Sequence, residues 1–217
     1  MNSSLNIFKM SEKDWYTQLV EDFCTTEVGV NGEVEYIKCR VERASPTTDW
    51  EKCWRLARLS GLGPDKTSFI FKMIHQILPT QERVARTKPR ASPCCKMLSC
   101  QGQAEENLPH ALVYCQANDR VGMKLYECLR EIQPNLQVEA VLRLELEVED
   151  ELELPVVWLI GCVLGILWNL RQQSNSKVKG YQVRSQLEAE INLLRETRFS
   201  DAAAKLDELA ANMFNQN

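Results

Sequence analysis

The sequence predicts a mainly α-helical protein with a short β-hairpin near its N-terminus. Three observations point there. Apolar residues recur at helical spacing through most of the chain after residue 48. Helix-start residues flank those runs: a Thr48-Asp49-Trp50-Glu51 capping box, Pro64 after Gly63, and Thr80 after Pro79. Finally, 44% of the 217 residues are hydrophobic and 26% charged, the balance of a chain able to build a core. The reading divides the chain into an N-terminal helix and hairpin unit (1–47), a helical region holding a cysteine cluster (48–118), and a C-terminal helical region packed on it (119–217).

In the first unit Ser11 can cap a helix whose apolar face is Trp15, Leu19, Val20 and Phe23. Asn31-Gly32 follows, a strong hairpin signal because both turn residues must take positive φ. In the second, Trp50, Cys53, Trp54 and Ala57 share a helix face, with Gly61 and Gly63 ending that helix. A stripe of Phe69, Ile70, Met73, Ile74, Ile77 and Leu78 predicts a helix over 67–78 that Pro79 stops. Thr80 caps a short helix holding Val84. A Pro-, Ser- and Cys-bearing loop leads to a short helix around His110.

In the third region, 120–132 is helical with Val121, Leu125, Cys128 and Leu129 inward. LRLELEVEDELEL alternates with period two and fits an edge strand or an amphipathic segment equally well. The run from Val156 to Trp168, bounded by Pro155, is about thirteen residues; a membrane span needs roughly 20, so this is a core helix. Its Gly161 and Gly165 allow close helix approach. Two amphipathic helices follow, one on Val183, Leu187, Ile191 and Leu194, the other on Ala203, Leu206, Leu209 and Met213.

The nine cysteines cannot all pair within the chain. No apolar stretch at the N-terminus resembles a signal peptide. A reducing compartment, cytoplasmic or nuclear, is expected, where clustered cysteines more often bind metal than form disulfides. Cys24, Cys39, Cys53, Cys128 and Cys162 read as small buried apolar residues. The remaining cluster, PCCKMLSCQGQAEENLPHALVYC, offers Cys95, Cys100, His110 and Cys115 as ligands. Zinc takes four tetrahedral ligands, and thiolate and imidazole suit it. Gly102 lets the chain fold back after the second cysteine. Cys94 competes with Cys95 as first ligand. With all four positions filled, the site is closed and structural, a zinc-stapled loop. His75, on a strongly apolar helix, reads as a packed core residue.

The stretch TSFIFKMIHQILPTQERVAR, the cysteine pair after it and PHALVYC resemble the reverse-transcriptase zinc-binding region near the C-terminus of non-LTR retrotransposon polyproteins. The resemblance covers Trp50 to Cys115 and implies a zinc site. The usual CxxC of that family is altered: Leu98 stands at the second cysteine's place and Cys100 comes two residues later.

Catalytic signatures are missing. Asp-Asp, the core of the polymerase two-metal turn, does not occur, nor do HExxH or GxSxG. The expectation is a protein that is not an enzyme. The net charge is −4, yet between Lys66 and Cys100 seven basic residues face one acid, Glu82. Such a strip can meet phosphates, or can balance the acidic stretch 145–153. Arg83, Arg86, Lys88, Arg90 and Lys96 are its candidate contacts. The sequence thus suggests a non-catalytic zinc-binding protein derived from a retroelement reverse transcriptase that binds RNA or DNA. The alternative is a zinc-stapled helical protein-interaction module with a protein partner. Neither reading involves a membrane.

Overall fold

A computed structural model describes residues 48–57, 63–88, 90–100, 102–173 and 176–215. The predicted N-terminal helix and hairpin lie outside the described residues. Asp49–Asn217 forms one compact unit. Its helices are α1 (Trp50–Ala57), α2 (Pro64–Ile74), α3 (Gln81–Thr87), α4 (Val121–Ile132), α5 (Val138–Arg143), α6 (Asp150–Gln173), α7 (Gly180–Arg195) and α8 (Ser200–Asn215). Between α3 and α4 run three short turns: 3₁₀ at Leu98–Cys100, π at His110–Tyr114 and 3₁₀ at Gln116–Asn118. Among the described residues there is no β-strand; Cys94 and Glu105 form an isolated antiparallel bridge.

Pro64 and Thr80 act as read, while the first helix is capped by Asp49, one residue later than the Thr48-x-x-Glu51 box implies. The Asp49 carboxylate accepts from the Lys52 N–H at 3.0 Å and opens α1. Pro64 sits in the first turn of α2. The Thr80 hydroxyl accepts from Arg83 N–H at 3.4 Å and caps α3.

Helix α6 is the axis of the fold. Trp158, Ile160, Leu164 and Leu167 are wholly buried, and α1, α2, α4, α7 and α8 pack around it. Gly165 faces the Phe69 ring of α2, 3.5 Å from where a Cβ would stand, so the helices meet closely there. The helix is 24 residues long with a mean hydropathy of 1.8 over its most apolar window, enough to cross a membrane by length and composition, and 83% of that window is buried by the rest of the protein. The sequence reading therefore erred on its length: Pro155 does not bound the helix but lies inside it. Its missing N–H leaves the carbonyl of Glu151 without an intrahelical donor, and Glu151 is exposed, where water can serve.

Two other boundaries differ. Helix α2 stops at Ile74, because Gln76 takes φ 54°, the left-handed region. Ile77 and Leu78 therefore belong to the exit loop, where Leu78 still reaches the core. Among the described residues the period-two segment pairs with no strand. After α5, Leu144 turns left-handed at φ 57°, and Leu144 and Leu146 point inward while Glu147 faces out. The alternation is real, but the Glu147 N–H is satisfied by the Gln133 side chain at 3.0 Å rather than by a neighbouring strand.

Faces of α7 and α8 are as expected, except that Leu209 is only half-buried. Val183, Leu187, Ile191 and Leu194 are buried, as are Ala203, Leu206 and Met213. Cys53, Cys128 and Cys162 are buried thiols that burial pushes up to about 11, 11 and 12, so they stay protonated. His75 ends α2 half-buried, stacked on Trp54 at 4.8 Å and against Phe71 at 4.2 Å between ring centroids.

Candidate metal centre

The loop between α3 and α4 folds around its own cysteines. Cys95 N–H donates to the Ala104 carbonyl at 2.8 Å, and Glu106 N–H to that of Pro93 at 2.9 Å, closing a narrow loop. At its tip Cys100 N–H donates to Met97 and Gln103 N–H to Cys100. Gly102 has φ 68°, the conformation that lets the chain turn back. Cys95 and Cys100 are thereby aimed inward.

The other half comes from the π turn. Asn107 accepts from the His110 N–H at 2.9 Å and starts it; Cys115 N–H, donating to the His110 carbonyl at 2.8 Å, ends it. The wider π turn sets His110 and Cys115 on the same side. It is held by α4: a Cβ on Gly122 would stand 2.0 Å from the Leu112 carbonyl oxygen, so only glycine permits this approach.

All four groups converge. One ligand atom from each of Cys95, Cys100, His110 and Cys115 lies within 4.8 Å of every other. Cys95 and Cys115 Sγ are 3.8 Å apart, Cys100 Sγ and His110 Nε2 3.7 Å, and Cys100 and Cys115 Sγ 3.3 Å. Sulfurs about 2.3 Å from a shared tetrahedral centre stand about 3.8 Å apart, and a sulfur and a nitrogen about 3.6 Å. None is a disulfide, which needs about 2.05 Å. A Cys/His cluster able to hold a metal ion is therefore present. Cys95, not Cys94, supplies the first sulfur of the cluster, and Leu98 is 74% exposed.

Burial pushes the Cys95 and Cys115 thiols up and the His110 imidazole down, the latter helped by the Arg171 charge. The imidazole is thus held neutral, the form that ligates a metal.

Sequence reasoning missed the groups behind the ligands. Arg171, in the last turn of α6, is 5% exposed. Its guanidinium donates to the Glu106 carboxylate at 2.6 Å and to the Asn118 side-chain oxygen at 3.1 Å, and it lies 3.8 Å from Cys95 Sγ. Asn118 in turn donates to the Ala111 carbonyl within the π turn at 2.9 Å. The other carboxylate oxygen of Glu106 accepts from the Gln81 N–H at 3.2 Å, at the start of α3. The only sequence signal was Arg171 as the first charge after an apolar run.

Two residues of the basic strip have partners near them in the chain. Arg86 pairs with Glu82 one turn away, and the Arg83 guanidinium donates to the Gln76 carbonyl at 3.1 Å. Lys88, Arg90 and Lys96 are exposed. Within the acidic stretch, Glu145 pairs with Arg143, Glu151 with Lys205 and Glu153 with Arg55. No known family, characterised protein or solved structure matches this chain.

Proposed function

We propose that Cys95, Cys100, His110 and Cys115 hold one zinc ion as a structural staple, in a non-catalytic protein that meets RNA or DNA phosphates through the basic residues beside it. The convergence of four soft ligand atoms within 4.8 Å carries this reading. Three sulfurs and an imidazole in tetrahedral reach suit zinc over the oxygen-preferring cations. A shell filled by protein has no position for water or substrate, which supports a structural role. The order of motifs, an LPTQERV helix entry before the cysteines and HALVYC after them, supports descent from a reverse-transcriptase zinc-binding region.

Within the strip, Lys88, Arg90 and Lys96 are the phosphate contacts, since Arg83 is engaged with the Gln76 carbonyl and Arg86 with Glu82. A second reading, a protein-interaction module, draws on Leu98, a large apolar side chain exposed at the tip of the same loop.

Metal analysis of purified protein together with a salt-titrated RNA shift tests both parts. About one zinc per chain is expected. Binding should fall steeply with salt, and replacing Lys88, Arg90 and Lys96 by Ala should flatten the slope by up to about three phosphate contacts. An unchanged slope in that variant would leave the interaction module ahead; metal-free protein would remove the staple.

A further inference from the structure

Zinc with three thiolates and a neutral imidazole carries a net charge of −1. Cys95, Cys100 and Cys115 are 2%, 8% and 1% exposed, so water cannot solvate that charge. An uncompensated charge in such surroundings is costly. Among the described residues Arg171 is the one buried cation, and its Nη2 lies between Glu106 and the Cys95 sulfur.

Glu106 carries the contact onward. Besides holding Gln81 N–H with its carboxylate, it accepts Glu82 N–H at its backbone oxygen at 3.2 Å. The start of α3 thus hangs on a residue whose carboxylate is held by Arg171, which in turn faces the ligand sulfur.

Resting on the zinc reading above, we infer that Arg171 is a positioning residue of the metal centre, and that the Arg171–Glu106 pair couples metal occupancy to helix α3. The guanidinium orients the Cys95 thiolate by donating to it and sets a positive charge between that sulfur and the Glu106 carboxylate. When the ion leaves, the loop that carries Glu106 loses its staple. The N-terminal amides of α3 then loosen with it.

The test compares the full chain with two variants. Arg171→Met together with Glu106→Gln removes both charges, so neither partner is left buried alone; Arg171→Lys keeps the charge and loses the fork. Zinc affinity is read by competition with a chromogenic chelator, the thiolate environment by the sulfur-to-metal charge-transfer band of the cobalt(II)-loaded protein, and α3 by amide exchange at Gln81 and Glu82. The double variant should still take one ion with tetrahedral cobalt bands, but about ten- to a hundredfold more weakly. Its charge-transfer band should move to lower energy, because a sulfur without its donated hydrogen bond gives up electrons more easily. Arg171→Lys should recover part of both effects. Stripping the metal should speed exchange at Gln81 and Glu82 in the wild-type chain and much less in the double variant.

A double variant with wild-type affinity and an unmoved band would overturn the inference. If that variant does not fold, Arg171→Lys decides: a smaller shift in the same direction supports the coupling, and no shift overturns it. A wild-type chain that takes no metal sinks the zinc reading and this inference together; one that takes it while the variants behave as wild type sinks this inference alone.

Discussion

The cysteine loop and the helical bundle are stabilised in opposite ways. Around α6 the protein buries a continuous set of apolar side chains from α1 to α8. The loop has a separate small core of Cys95, Met97, Cys100, Cys115 and Ala117, in which three of five members are candidate ligands. In the bundle, stability is spread over many contacts of modest worth each. In the loop it is concentrated in one centre, because its turns are too short to be stable alone. The bundle should therefore degrade gradually under mutation and the loop all at once.

Removing one ligand gives the largest effect. Cys115→Ser should abolish tight metal binding and melt the loop, while the far-ultraviolet helix signal of the bundle stays largely intact. Cys94→Ser, one residue from a ligand but outside the cluster, should leave both unchanged. A whole-molecule collapse in Cys115→Ser would show that the two regions are one cooperative unit.

Next is the bundle itself. Leu164→Ala, at a fully buried position of α6, should cost about 2–5 kcal/mol in denaturant unfolding. Metal stoichiometry should not change below the transition. Loss of metal along with stability would break the proposed separation.

Gly122→Ala tests the seam between the regions. Its new methyl would strike the Leu112 and Val113 backbone, so the π turn must move away from α4. A cost of about 1–3 kcal/mol is expected, and, unlike Leu164→Ala, it should come with weaker metal binding, because His110 and Cys115 ride on that turn. Normal metal affinity would show that the turn can shift as a rigid piece.

The smallest effect is electrostatic and belongs to the bundle alone. Arg55 donates to Glu153 at 2.7 and 2.8 Å, joining α1 to α6, and these hydrogen bonds hold the Glu153 carboxyl below the usual carboxylate range. A depressed folded value stabilises the protein above the unfolded pKa, about 4.3, and the contribution is lost as pH falls through the folded value. Glu153→Gln should thus lower the melting temperature at neutral pH and make little difference in strong acid. Equal shifts at both pH values would mean that packing, not the ion pair, is what the substitution disturbs.

The same contrast explains what could be read from the sequence. Helical faces such as Val183, Leu187, Ile191 and Leu194 were legible because burial repeats every turn. The ligands were legible because cysteine and histidine are chemically conspicuous and lie within one short stretch. The period-two segment after α5 stayed open between strand and amphipathic segment because alternation reports only which side faces inward; pairing with another strand is a separate matter. The end of α2 was hidden since no glycine marks the left-handed Gln76. Arg171 and Glu106 were invisible for another reason: 65 residues separate them, and nothing local marks two charges that will be buried together.

Helix α6 also sets an order of events during synthesis. Long and apolar enough to cross a membrane, it leaves the ribosome ahead of α7 and α8, two of the helices that cover it. Until those later residues emerge, the nascent chain has only the helices α1, α2 and α4 to cover an apolar rod, and the side that α7 and α8 will occupy stays open, a surface of the kind that aggregates or draws chaperones. The amphipathic faces of α7 and α8 therefore do more than add stability at the end; their arrival turns a half-covered apolar segment into a core.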